Sequence, residues 1–488
     1  MGMGGEQEMR EEGNITGGGL EMMEASNGGR EYLDDDGKQR RTGTLWTSSA
    51  HIITAVIGSG VLSLAWSMAQ LGWVAGIVTL LLFSMVTFYT SSLLTDCYRS
   101  PDPVHGKRNY TYMAAVKANL GRTQLLLCGV CQYVNLFGTA IGYTITASTS
   151  AQAISKSNCF HKKGHGADCR FSETVYMVGF GVIQLFLSQL PDFHQLWWLS
   201  IVAAVMSFAY SLIAIGLGMA KVISGSTGTT SLTGTQIGVD VTSAQKVWNT
   251  FQALGDIAFA YSYSMILIEI QDTLKSRPAE NKVMKKASFI GVSTTTGFYL
   301  VCGCLGYAAF GNKAPGNILT GFGFYEPFWL IDFANMCIIV HLLGAYQVFS
   351  QPIFAAVEDL FIARYPNQQL FTQEHKVVDS KNFKFSVNIF RLGWRSAFVA
   401  VSTLLAILLP FFNDILGFLG SVGFWPLTVY FPVEMYIAQK SIRRGTRKWL
   451  LLQTLSFLCF LVSLVAAIGS IEGVMDSLKH YTPFKTKS

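Results

Sequence analysis

The strongest constraint on this chain is a recurring apolar stretch of about 20 residues, the length a helix needs to cross a ~30 Å hydrocarbon layer. By that criterion about eleven stretches recur. They fall at 45–71, 74–96, 124–152, 173–190, 196–219, 247–272, 287–310, 328–350, 394–413, 415–438 and 448–471. A water-soluble globule has no way to cover so much apolar surface. Only 14% of the 488 residues are charged, against roughly 25% in soluble domains. In lipid every backbone N–H and C=O must find a partner within its own segment, so the stretches are helices. The expected fold class is an all-α multi-spanning membrane protein.

Residues 1–43 are rich in Gly, Glu and Met, with an acidic run Asp34-Asp35-Asp36 followed by Lys38, Arg40 and Arg41. They lack the material for a core. They read as a disordered cytosolic N-terminal tail, passive or regulatory, rather than a cleaved signal peptide. The transmembrane domain is expected over 44–473, with no separate soluble domain, and a short extracellular C-terminal tail over 474–488. The tail and the loops at 97–123, 273–286, 352–395 and 439–448 carry most of the 36 Lys and Arg. Basic loops stay on the cytosolic side, so the N-terminus is inside and, with an odd number of spans, the C-terminus is outside. The formal charge of +6 therefore belongs to loops beside a lipid surface, not to a nucleic-acid-binding face. The loop at 155–172 runs against the bias with Lys156, Lys162, Lys163 and Arg170. The loop at 351–393, the longest internal one, is too short and polar to fold independently.

Cys159 and Cys169 share the 155–172 loop, and an oxidising compartment lets such thiols pair. Cys128 and Cys131 have CxxC spacing but lie within a span without further ligands, so packing is the reading. The sequons at Asn14 and Asn109 fall on the cytosolic side, where no glycan is expected. No metal site and no cofactor is expected.

Span one reads His51-Ile-Ile-Thr-Ala55-Val56-Ile57-Gly58-Ser59-Gly60-Val61. Two glycines about a serine at mid-membrane are costly for a continuous helix. Either they admit a close neighbour or the helix breaks there. A break exposes backbone N–H groups at the start of a half-helix, where a carboxylate binds. Span six reads Asp256-Ile-Ala-Phe259-Ala260-Tyr261-Ser262-Tyr263-Ser264, again with small and hydroxyl residues at its centre. If the fold is a five-plus-five inverted repeat with discontinuous helices, spans one and six are its equivalent members, and the paired interruptions are the internal hint of it. Carbonyls before the breaks, near Val56 and Phe259, then suit an ammonium, so the pair suits a zwitterion. In span three, Tyr133 and Asn135 either line a cavity or join helices.

Ionisable groups at membrane depth are candidates for proton coupling. Asp256 lies near the middle of span six, next to a carbonyl end that disfavours its charge. His341 lies near the centre of span eight, and His51 lies about two turns before the glycines. Each is alternatively a hydrogen-bonded structural residue. Glu269, Asp272, Glu434, Asp332 and Asp414 lie near span ends, where anchoring or gating is the expectation. A sodium site needs hard oxygen ligands, and the middle of span eight, Cys337–Gly344, holds no Ser or Thr. That favours protons as the coupling ion. No HExxH, no GxSxG and no pair of buried acids at helical spacing points to an enzyme within the membrane. A sensor would carry a large signalling extension.

Several blocks carry a resemblance: Ser49–Trp66 (SAHIITAVIGSGVLSLAW), Gly106–Met113 (GKRNYTYM), Asp256–Asp272 (DIAFAYSYSMILIEIQD), Cys302–Gly311 (CGCLGYAAFG) and Gly423–Lys440 (GFWPLTVYFPVEMYIAQK). From about Lys38 to its end the chain resembles the plant amino acid permeases, within the amino acid and auxin permease group. The resemblance implies proton-coupled uptake of amino acids, broad in range and mainly neutral and acidic, at the plasma membrane. It implies eleven spans on the broken-helix transporter fold. It places the substrate at Ala55, Val56, Ile57, Gly58, Ser59, Gly60 and Val61 of span one and at Phe259, Ala260, Tyr261 and Ser262 of span six. Amino acid, protons and membrane lipid are the expected partners. An auxin or other small organic acid carrier is the alternative, and the blocks fit it less well.

Overall fold

The computed structural model describes residues 33–38, 40–189, 197–323, 327–373, 375–380 and 383–481. The tail expected over 1–43 therefore lies, for residues 1–32, outside the described residues. Among the described residues nine helices are long and apolar enough to cross a membrane by length and composition, and Glu173–Leu187 is a shorter apolar one. In helix Leu64–Asp96, Gly72 takes φ 79° and ψ 178° and separates two spans.

Eleven spans result. Span one comprises Leu45–Val56, Ser59–Ser63 and residues 64–71, and span two is 73–96. Spans three to five are Arg122–Lys163, Glu173–Leu187 and Trp197–Ile223. Span six comprises Ser243–Ala260, Ser264–Ile266 and Leu267–Asp272. Spans seven to nine are Glu280–Phe310, Phe328–Arg364 and Ile389–Leu408. Span ten joins Phe412–Gly423 and Phe431–Gln439 through a wide-turn segment, Phe424–Tyr430, and span eleven is Arg447–His480.

Local sequence explains the ends. Thr44, Thr242 and Thr446 cap spans one, six and eleven, each side chain accepting a hydrogen bond from a first-turn N–H, which satisfies a donor the helix cannot. Gly72 adopts a left-handed conformation that disfavours other residues. A Cβ there would also fall on the backbone of residues 232–234, which pack against the turn.

The packing exchanges when five is added to the span number. Span one packs on seven, and six on two. Span three packs on ten, and eight on five. Span three also packs on nine, and eight on four. This is the inverted repeat that the two interrupted helices anticipate. Span eleven lies against spans six and ten.

The structure departs from the sequence reading at several edges. Span eight continues through Pro352 to Arg364, so much of the expected 351–393 loop is helix. Phe361 stacks with Phe371 and Phe390 there, and Glu358 pairs with Arg395 at 2.7 Å. The rest of that loop holds a strand pair, His375–Ser380 with Phe383–Val387. Span three continues to Lys163 and takes in part of the 155–172 loop. Span eleven runs past 473 to His480. Residues 33–38 and 40–43, assigned to a disordered tail, are instead fastened to the protein. Arg41 gathers Asp34, Asp36 and Asp272 at 2.9–3.0 Å.

Candidate functional site

Both central helices break where the sequence places glycine and small residues. The first half of span one ends at Val56, Gly58 is extended (φ −122°, ψ −151°), and a tight turn restarts the helix at Ser59. The first bond of that turn joins Val61 N–H to Gly58 O at 3.3 Å. Hence Ser59 and Gly60 keep N–H groups that the helix itself cannot satisfy. The Ser59 hydroxyl is buried, with no hydrogen-bond partner among the described residues. Span six breaks over 261–263 before restarting at Ser264. The two breaks adjoin: a Cβ on Gly60 would sit 3.0 Å from Ala260 Cα, whereas a Cβ on Gly58 would meet nothing within 4 Å. Donor N–H groups, a buried hydroxyl and open space thus converge at one level.

Span seven completes the site with a residue the sequence reading missed. The Tyr299 hydroxyl reaches the Val56 and Ala260 carbonyls, the latter at 3.0 Å, so it joins the ends of both first half-helices. The expected acceptors were Val56 and Phe259. Phe259 O is instead used by Ser262 N–H at 3.1 Å, and Ala260 O takes its place because the helix runs one residue further. Val56 O also accepts the Gly58 N–H at 2.8 Å, so it is Ala260 O, taking only the Tyr299 hydroxyl among the described residues, that keeps a lone pair for an ammonium. Tyrosines are common in spans, so no signal short of the fold singled out Tyr299.

The other candidates divide. Asp256 is fully buried, and its Oδ2 lies 3.3 Å from Ser67 Oγ, its one hydrogen-bond partner among the described residues. His341 is also buried, but its Nδ1 bonds to Ala203 O of span five at 2.8 Å, away from the breaks. That carbonyl fixes the proton on Nδ1. His51 lies on an exposed face. Asn135 donates to Leu419 O of span ten at 3.1 Å, acting as a helix joint, and Tyr133 is half-buried beside Gly129 of its own span. The Tyr261 hydroxyl turns to Thr296 at 3.1 Å, and Ser262 Oγ bonds back to Ala258 O. Cys159 and Cys169 are joined by a disulfide, Cα atoms 5.8 Å apart.

The family model described as "Transmembrane amino acid transporter protein" matches residues 41–476. Amino acid permease 1 of Arabidopsis thaliana is 61% identical over 93% of this chain and 94% of its own. Amino acid permease 3 of the same plant is 59% identical over 94% and 96%. The chain belongs to the plant amino acid permease family. This is a family of transporters, and amino acid transport through a multi-span membrane protein follows. Among solved structures the permease is similar to MhsT in complex with L-phenylalanine, with a TM-score of 0.52 and 10% identity, covering 89% of this chain and all of that one. It is also similar to a nucleobase-cation-symport-1 family transporter in a closed conformation, with a TM-score of 0.50, 13% identity, and 90% and 93% covered. Those likenesses support the broken-helix transporter fold.

The two ends of the permease differ. At the end bearing residues 33–43, polar groups seal the bundle. Tyr98 donates to Asp272 at 2.6 Å, Arg99 pairs with Glu280 at 2.8 Å, and Arg108 pairs with Asp35 at 2.5 Å. Tyr112 N–H donates to Glu269 at 3.1 Å. The Arg41 hydrogen bond holds the Asp36 carboxyl well below the usual carboxylate range. At the opposite end a cleft of about 670 Å³ opens among spans one, three, four, six, ten and eleven. Trp66, ten residues beyond the Val56 carbonyl, stands in its wall. The cleft thus lies at one end of the bundle and the ion pairs at the other, with the buried breaks between them.

Proposed function

We propose that this permease imports amino acids across the plasma membrane in symport with protons, by alternating access, with its N-terminus cytosolic and its C-terminus extracellular. The observation that carries the reading is the meeting of the two breaks. The Ser59 and Gly60 N–H groups face the level of the Val56 and Ala260 carbonyls, so opposite helix-end charges lie together as a zwitterion requires. The open space at Gly58 admits the substrate carboxylate, and the proposed substrates are broad in range, mainly neutral and acidic. Basic loops set the orientation, and by it the cleft faces outward while the ion pairs around Arg41 close the cytosolic side. Asp256 is the proposed proton carrier, since it is buried and lies one turn before the break in span six. The transporter domain runs from residue 44 to the end of span eleven at His480, and the segment before it carries the cytosolic latch.

Whole-cell current under voltage clamp, with a panel of amino acids at two external pH values, with and without sodium, tests this. Inward current that grows with acidity and ignores sodium is the expected result. Dependence on sodium overturns the coupling ion. Silence with amino acids but transport of auxin or another organic acid overturns the substrate.

A further inference from the structure

Resting on the proton-coupled reading, we propose that Asp414 is the outward proton acceptor of this permease, the carboxyl through which a proton from the cleft reaches Asp256. Asp414 lies in the cleft wall at the start of span ten and is 9% exposed. Its carboxyl accepts hydrogen bonds from two neutral donors, Gln252 Nε2 at 2.6 Å and Ser477 Oγ at 2.9 Å. No Lys, Arg or His lines the cleft among the described residues. The charged groups facing it are Glu173 from span four and Glu472 and Asp476 from span eleven, with Asp476 near Lys479 at 3.4 Å. Span six presents Gln252, and span three presents hydroxyls. A carboxyl at this depth, with neutral donors and an open cleft beside it, is placed to exchange protons with the outside.

The route inward is built by two glycines. A Cβ on Gly473 would lie 2.6 Å from Asp414 Oδ1 and 2.9 Å from Gln252 Oε1. A Cβ on Gly417 would lie 3.1 Å from Asp256 Oδ1 and 3.2 Å from Gln252 Cγ. Their missing side chains let spans ten and eleven close on span six, so that Asp414, Gln252 and Asp256 share one seam. Gln252 and Asp256 are four residues apart and lie on one helix face. From Asp256 a hydroxyl thread continues to the break: Ser67 Oγ at 3.3 Å, then Ser63 O, then Ser63 Oγ to Gly60 O at 3.0 Å. In the step proposed, the Asp414 carboxylate takes a proton from cleft water and forms an O–H bond. It then releases that proton to the Asp256 carboxylate and returns to its ionised form. Gln252 is a positioning residue and carries no proton.

The test is amino-acid-evoked current from the full chain across acidic to neutral external pH, for wild type, Asp414→Asn and Ser477→Ala. Asp414→Asn shifts the half-maximal current to more acidic pH by about one unit, tenfold in proton concentration, with the substrate KM at saturating acidity unchanged. Ser477→Ala removes a donor that favours the ionised carboxyl and shifts the midpoint the other way. A merely structural role changes maximal current without these opposed shifts. If wild-type current ignores pH, proton coupling fails and the proposal falls with it. If wild type responds but both variants keep its midpoint, the proposal alone is overturned. Where Asp414→Asn does not reach the surface, the midpoint of Ser477→Ala decides.

Discussion

Single atoms decide the chemistry at the breaks. At Gly58 the backbone is extended, a conformation any residue adopts, and a side chain would enter open space. Gly58→Val therefore leaves folding intact and fills the space the substrate carboxylate needs. Uptake is expected to fall at least about tenfold, ~1.4 kcal/mol, with surface abundance unchanged, as radiolabelled uptake beside surface biotinylation reads. Full transport by that variant refutes a substrate at this break. Tyr299 differs because its hydroxyl joins two helix ends. Tyr299→Phe leaves the buried Ala260 carbonyl without its donor, while Val56 O keeps the Gly58 N–H, a loss of about 1–3 kcal/mol. The expected readout is a raised substrate KM together with a lower melting temperature. A KM equal to wild type shows that the hydroxyl has no part in binding. Gly58 was legible in the sequence because glycine inside a span is unusual. Tyr299 was not, because its role comes from where span seven places it.

At the scale of elements, a short strap, residues 33–38 and 40–43, crosses the end of the bundle opposite the cleft. Gly43 exchanges backbone hydrogen bonds with Thr273 and Lys275 at 2.9 and 3.1 Å, and Arg41 binds three carboxylates. Asp36 has its carboxyl pKa depressed by Arg41. Its contribution is present above the ordinary carboxylate value and is lost only as pH falls through the depressed one. Acidifying the medium at that end to about pH 6 is therefore expected to leave the strap in place. Arg41→Ala is expected to release it, seen as faster amide hydrogen exchange at residues 40–44. Unchanged exchange in that variant shows that the backbone bonds alone suffice. Composition marks the acidic run and Arg41 as charged and polar, which alone reads as disorder. Their partners, Asp272 and Arg108, come from distant positions that only folding brings near.

Across the whole molecule, the cleft at one end carries Glu173, Asp414, Glu472 and Asp476 in its wall. An anionic side chain approaches this wall against like charge, and a neutral one does not. At about 0.15 M salt the Debye length is ~8 Å, and at 0.01 M it is ~30 Å. Lowering ionic strength at fixed pH is therefore expected to depress uptake of an acidic amino acid more than of a neutral one. Competition uptake of the two at low and normal salt measures it. An unchanged ratio shows that the wall exerts no long-range field on the substrate.

The sequence by itself determined the solvent this chain lives in and the number of its spans, since apolar length is a local property that lipid enforces. It marked where both helices break, because Gly58, Gly60 and the run from Ala260 to Ser264 oppose a continuous helix, but whether they break or only pack closely was left to the fold. The helix edges at Lys163, Arg364 and His480 escaped it, because polar residues there continue helices that pack beyond the apolar layer. Only the tertiary structure decided which carbonyl meets Tyr299, that His341 belongs to span five's backbone, and that Asp414 and Asp256 share a seam. Those relations join residues far apart in the chain, and close packing at glycines such as Gly417 and Gly473 sets them.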